Sequence, residues 1–193
     1  FVVSDTSKSI ITSESINLEG KESSELMKHS EAMLNILYNL NKPLSKDYKI
    51  ISKKYYDLGN KKFDIISSQF SLHYYFKTKE TFMGFTQNIF DNIKKGGYFI
   101  GTCFDGLYIY DILLKNDLEY KDENENVIYK ISKSNVTQGF TYNEEVDNMD
   151  DMFGQEINVF MDSIGQTYPE YLVNFDLLIS YMKKNGMELV TPD

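Results

Sequence analysis

Between residues 63 and 114 two kinds of apolar pattern alternate, and no other feature of the chain constrains its fold as tightly. Phe63-Asp64-Ile65-Ile66-Ser67-Ser68 is a short apolar run with polar flanks, the pattern of a buried strand. Residues 78–94 carry Phe82, Phe85, Ile89, Phe90 and Ile93 at helical spacing, which makes one helix face apolar. Lys94-Lys95-Gly96-Gly97 reads as the end of that helix, with cations near its negative pole and glycines beyond. Residues 98–102 are a further strand, and residues 107–114 open another helix. This order predicts an α/β fold with a parallel sheet.

The flanks extend the pattern. Phe1-Val2-Val3 reads as a strand that stops at Ser4-Asp5-Thr6. Residues 12–25 are rich in Ser and Glu and predict a loop. Met27, Leu34, Leu37 and Tyr38 then recur at helical spacing over 24–40, with Ser23 or Ser24 as start signal and Asn41-Lys42-Pro43 as stop. A lysine-rich connector leads to residue 63. Residues 115–152 mix charged stretches such as Asp122-Glu123-Asn124-Glu125 with the short apolar run 127–131, and 157–160 reads as a strand. An antiparallel insert is expected there. Residues 168–173 lead into a helix through Leu177, Leu178 and Tyr181, which Lys183-Lys184-Asn185-Gly186 ends before a strand at 187–190. The expected organisation is a single domain over 1–193: an α/β core at 1–114, the insert at 115–165, and a return to the core at 166–193.

Composition narrows the function classes. With 193 residues, 41% of them hydrophobic and 15% aromatic, the chain can bury a core, so disorder is excluded. No apolar run approaches the roughly 18 residues that span a membrane, and no membrane partner is expected. One cysteine, Cys103, excludes a disulfide framework, and two histidines disfavour a histidine metal centre. The net charge of −9 argues against a broad basic nucleic-acid surface, and no DNA partner is expected. Every basic residue is a lysine, so phosphate contacts rest on lysines and backbone amides rather than on bidentate guanidinium groups.

In open α/β sheets ligands bind beyond the carboxyl ends of strands, which singles out three places. Asp5 follows the first strand: it is either an acceptor for an adenine amino group or a turn aspartate. Gln69-Phe70-Ser71-Leu72-His73-Tyr74-Tyr75-Phe76 combines amide, imidazole, phenol and ring faces. Such a set suits a flat heterocycle, and equally the aromatic start of a core helix. Gly101-Thr102-Cys103-Phe104-Asp105-Gly106 lacks the spacing of a phosphate loop. Asp147, Asp150 and Asp151 read as a solvated loop, with a metal site as the minor alternative; no metal is expected.

Residues 63–74 resemble the central segment of messenger RNA cap guanine-N7 methyltransferases. Three further matches follow in the family's order. Ser4-Asp5-Thr6-Ser7-Lys8 is similar to its "ADSSK", and Lys95-Gly96-Gly97-Tyr98-Phe99-Ile100-Gly101-Thr102 to its "PGGYFIGT". Pro169-Glu170-Tyr171-Leu172-Val173-Asn174-Phe175 is similar to its "PEFLVYF", followed by Gly186-Met187-Glu188-Leu189-Val190 for "GMKLV". Phe104-Asp105-Gly106 looks more like versions from large DNA viruses.

The resemblance implies a Rossmann-like class I methyltransferase sheet with a small antiparallel insert. The family's D-L-G-C-G-x-G turn is expected upstream of Phe1, so that the N-terminal part of the sheet is missing from this chain and the fragment is inactive alone. It also implies S-adenosylmethionine as cofactor, held by Asp5, Gln69, Ser71 and Tyr74. Phe70, His73, Tyr74, Phe104, Phe160 and Glu170 are implied to face the cap guanine, with Val159 as the alternative to Phe160. Catalysis is implied to be positioning by Tyr74, His73 and Glu170, without a general base. The implied partner is 5′-capped RNA, with triphosphatase and guanylyltransferase domains or a capping subunit alongside, and a noncatalytic stimulatory subunit or cap-binding module is the alternative function. The implied setting is intracellular: the nucleus for a cellular protein, the cytoplasm or virion for a viral one.

Overall fold

The computed structural model describes residues 4–12, 14–16, 24–136, 139–142 and 148–191. The strand expected at 1–3, the start signal Ser23 and the carboxylate Asp147 lie outside the described residues. The chain divides into two compact units, residues 1–67 with 83–100 and residues 68–82 with 101–193.

In the first unit, helix α1 (Ser24–Tyr38) buries Leu34, Ile36 and Tyr38. It ends two residues short of the expected Leu40. Asn39 and Asn41 both take left-handed backbone angles (φ 53° and 57°), which asparagine tolerates better than most residues, so the turn comes before Pro43 acts. The expected loop at 12–25 contains a 3-10 turn at Glu14–Ile16. The lysine-rich connector is no plain linker either: a 3-10 turn at Lys46–Tyr48 runs straight into helix α2 (Lys49–Tyr55).

Strand β1 (Phe63–Gln69), helix α3 (Lys79–Asn92) and strand β2 (Ile93–Thr102) give the expected strand–helix–strand order. β1 and β2 pair with each other as a two-stranded parallel ribbon. One expectation is corrected here. Lys94-Lys95-Gly96-Gly97 does not cap α3 but belongs to β2, which starts immediately after the helix. The Lys94 ammonium pairs with the Asp64 carboxylate at 2.8 Å, a cross-strand partner that favours the extended conformation. β1 is also less buried than expected, because a two-stranded ribbon leaves Ile65, Tyr98 and Ile100 exposed. Polar contacts hold residues 4–12 against α3. Asn88 accepts from the Ile10 N–H and donates to the Thr6 and Lys8 carbonyls. Gly84 permits this approach, since a Cβ there would collide with the Ser7 carbonyl.

The second unit is built on a four-stranded antiparallel meander, in spatial order β3 (Leu118–Lys121), β4 (Val127–Asn135), β5 (Glu156–Met161) and β6 (Gln166–Tyr171). Register places Ile131 opposite Val159 and Ile157 opposite Glu170. Since directly opposed residues share a sheet face, Tyr129, Ile131, Ile157, Val159 and Glu170 lie on one side. Helix α4 (Gly106–Leu113) covers that side with Ile109, Tyr110 and Leu113, and Phe140 closes the core. Residues 166–171 therefore complete the antiparallel sheet as its fourth strand, where a return to the α/β core had been expected. Helix α5 (Phe175–Lys184) follows, capped by Asn174, whose side chain accepts from the Leu177 N–H. The expected strand at 187–190 is absent: these residues are irregular, and Leu189 and Val190 are exposed without a partner strand among the described residues.

Candidate functional site

The carboxyl end of β1 leads into a 3-10 turn, Leu72–Phe76, whose ends are anchored in the core. Leu72 and Phe76 are buried, and the Phe76 ring packs edge-on against Phe82 at 5.2 Å. That anchoring fixes the side chains between them. His73 points inward, and Tyr74, largely exposed, lies against its ring at 4.1 Å.

Across from the turn stands Glu170 on β6. Its side chain is only 14% exposed, His73's only 10%, and His73 Nδ1 is 3.6 Å from Glu170 Oε2. That distance is short enough for an ion pair and too long for a good hydrogen bond. A charged pair would raise the imidazole pKa and lower the carboxyl's; here both move the other way. Burial lowers His73 and raises Glu170, each toward its neutral form. Desolvation therefore outweighs mutual attraction and disfavours the charged form of each group. His73 Nε2 is buried and has no hydrogen-bond partner among the described residues. An orphaned polar atom beside an under-solvated carboxyl group is the mark of a ligand site.

Around the pair lies a small depression lined by Phe104, Gly106, Ile157 and residues 171–173. Phe104 packs at a tilt on Tyr129, ring centres 6.1 Å apart. The Tyr129 phenol is pushed up to about 12 by burial and by the Glu170 charge. Gly106 starts α4 hard against Val173, where a Cβ would meet backbone atoms. Asp105 caps the helix, accepting from the Leu107 and Tyr108 N–H groups.

The sequence-derived residues distribute as follows. His73, Phe104 and Glu170 come together around the depression, with Tyr74 against the His73 ring. Phe160 does not join them. It is adjacent to Val159 on β5, so the two-residue period of the strand turns it to the sheet face opposite Glu170. Val159 is on the Glu170 face but buried in the core. Tyr129 is the aromatic that sequence reasoning missed. It lay within the short apolar run 127–131, and only the pairing of β4, β5 and β6 reveals that its face is that of Glu170.

Phe70 sits just outside the turn with its ring 70% exposed and its backbone left-handed (φ 49°). Its N–H donates to the Thr102 carbonyl at 2.8 Å. A strained, exposed aromatic at a strand end suits a contact surface. Beside it, the Thr102 hydroxyl donates to Gln69 Oε1 at 2.7 Å, and the Ser68 and Ser71 hydroxyls are 2.8 Å apart. In the other unit, Asp5 Oδ1 accepts from both the N–H and the hydroxyl of Ser7, while Lys8 lies 3.5 Å from Oδ2. Burial raises the Asp5 pKa, but these contacts outweigh it and the net shift is downward. The Cys103 thiol is pushed up to about 11 by burial and by Asp105, which makes it a poor nucleophile. Asp150 is paired with Lys79 at 2.7 Å, and among the described residues no three His, Cys, Asp or Glu side chains could share a metal ion. No helix among them is long and apolar enough to cross a membrane.

The sequence matches the mRNA (guanine-N(7))-methyltransferase domain over residues 38–193. The chain belongs to the mRNA cap guanine-N7 methyltransferase family. Within that family it is 33% identical over 129 residues to the mRNA cap guanine-N(7) methyltransferase of Saccharomyces cerevisiae, covering 66% of this chain and 29% of that protein. The enzyme of the same name from Candida glabrata is 32% identical over 128 residues, covering 66% and 30%. A probable mRNA-capping enzyme of Acanthamoeba polyphaga mimivirus is 32% identical over 147 residues, covering 72% of this chain and 12% of that protein. The match thus spans less than a third of each of these relatives. As a methyltransferase family it implies S-adenosylmethionine as the methyl donor.

Proposed function

We propose that the protein methylates N7 of the guanosine cap of RNA. The observation that carries this reading is the half-buried Glu170 carboxyl group, which has no strong partner among the described residues and lines a depression with His73 and Phe104. A carboxylate there is complementary to the Watson–Crick edge of guanine, accepting from N1–H and from the 2-amino group. Adenine offers no such pair of donors. His73, beside Glu170, would give the base edge a further polar contact, and Phe104 and Tyr74 would supply ring faces.

S-adenosylmethionine, when bound, supplies a methyl group already activated on a sulfonium. Guanine N7 has a free lone pair, so no side chain needs to remove a proton. The work left to the chain is positioning, which can lower a barrier by roughly 7–11 kcal/mol. Glu170, His73 and Tyr74 would orient the base, and the buried carboxylate favours the positive charge that develops on guanine. Gln69, Ser71 and Tyr74 fit a polar, partly aromatic cofactor at the end of β1, and the exposed Phe70 would face the cap guanine. Asp5 keeps lone pairs beyond those taken by Ser7 and would accept from adenine.

Transfer of labelled methyl to G-capped and A-capped RNA by the full-length polypeptide tests the reading. Label at guanine N7 with little on the A-capped RNA is expected. Equal labelling, or none, sinks it. Asp5→Ala is expected to raise the dissociation constant for S-adenosylmethionine about 10- to 100-fold, the worth of a hydrogen bond to a charged group, with little change in cap affinity. An unchanged constant by calorimetry would leave Asp5 as a turn residue alone.

A further inference from the structure

We propose that residues 46–62 form a surface for the phosphodiester backbone of single-stranded RNA, an inference that rests on RNA being the substrate. Six lysines stand in these 17 residues, Lys46, Lys49, Lys53, Lys54, Lys61 and Lys62, against two carboxylates, Asp47 and Asp57. The segment carries +4 in a chain of −9, so the remaining residues carry −13. Such an imbalance concentrates an anion on one place and repels it elsewhere.

All six lysines are exposed. Some lysines elsewhere in the described residues find carboxylates: Lys8, Lys42, Lys79, Lys94, Lys121 and Lys130 each sit in an ion pair. None of the six does. The two local acids are engaged by neutral side chains instead, Asp47 accepting from the Ser45 hydroxyl and Asp57 from the Asn60 side-chain amide. Because the 3-10 turn continues into α2, Lys46, Lys49 and Lys53 follow one another at spacings of three and four and form a ridge. Lys54 borders that ridge, its ammonium 5.1 Å from the Tyr55 ring centre.

The chemistry of the ridge fits nucleic acid better than an acidic protein. Lysines are point charges that meet phosphates without demanding a fixed geometry. Tyr56 and Phe63, both exposed, add ring faces on which bases stack. A protein interface would call for a contiguous apolar centre with charges at its rim, whereas here the exposed Ile50 and Leu58 are separated in sequence by Lys53 and Lys54.

The test is binding of an uncapped single-stranded RNA to the full-length polypeptide, followed by fluorescence anisotropy as salt rises. Each phosphate contact contributes about 0.7 to the slope of log K against log salt. The triple substitution Lys46→Gln, Lys49→Gln, Lys53→Gln is expected to flatten that slope by about 2 and to raise KM for capped RNA, leaving KM for a cap dinucleotide unchanged. Arginine at the same positions restores the slope, and an unaltered melting temperature shows that the exposed ridge is not needed for folding. An equal slope in wild type and the glutamine variant overturns the proposal. So does loss of polyglutamate binding with RNA binding intact, which would assign the surface to an acidic protein. RNA binding is read without any transfer step, so a failure of the methyltransfer reading would be seen separately.

Discussion

Glu170→Gln lowers kcat/KM for G-capped RNA by roughly 10²–10³-fold, the loss of two hydrogen bonds to a charged acceptor, and at the same time stabilises the fold at neutral pH. The first effect follows from replacing a pure acceptor by an amide that presents donors to guanine's own donors. The second follows from burial, which raises the Glu170 pKa above its ordinary 4.5. A carboxyl group whose folded pKa is raised adds nothing unfavourable below about pH 4.5. Its penalty develops as pH climbs through the folded value, so the unfolded state gains on the folded one. The glutamine variant should therefore melt higher than wild type at pH 7, with the gap closing in acid. Paired thermal melts and transfer assays read the two effects in opposite directions. A lower melting temperature at pH 7, with selectivity for guanine intact, would make Glu170 an ordinary structural carboxylate.

Gly106→Ala destabilises the second unit by about 2–3 kcal/mol, which for a chain of this size is a fall of roughly 5–10 °C in Tm. The methyl group would run into the Val173 backbone, and backbone at a strand exit cannot rotate away as a side chain can. α4 would have to lift from the sheet, carrying Phe104 and the wall of the depression with it. KM for capped RNA should rise in the properly folded fraction as well. Gly96→Ala is the control: a Cβ there meets nothing, so only its left-handed backbone (φ 77°) matters, at about 1–2 kcal/mol. Equal melting temperatures for the two variants would show that α4 accommodates the methyl group.

Much of this site was legible before any coordinates. The run from Phe63 to Tyr74 and the segment Pro169-Glu170-Tyr171 carried the family likeness, and both sides of the His73–Glu170 pair came from it. What could not be read was register. Phe160 and Val159 were interchangeable in sequence because nothing local says which face of β5 points to β6's glutamate. Tyr129 was invisible for the same reason. The errors in the fold have local causes too. Gly96-Gly97 looks like a helix stop, yet the Lys94–Asp64 contact draws the segment into a strand. α2 escaped notice because its seven residues show no apolar stripe, only lysines with Ile50, Ile51 and two tyrosines around them.

The passage from β6 to α5 joins three duties in five residues. Glu170 faces the depression, Leu172 and Val173 fill the core, and Asn174 caps α5 while donating to the Phe140 carbonyl. No slack exists between them. A single-residue deletion within β6 would turn Glu170 to the far side of the sheet, expose a core position and strip the helix of its cap in one event. Changes in length among related chains should therefore accumulate at the β3–β4 and β5–β6 turns, residues 122–126 and 162–165, while the spacing from Glu170 to Asn174 stays fixed. The position of Glu170 is thus tied to the frame in which the fold is assembled.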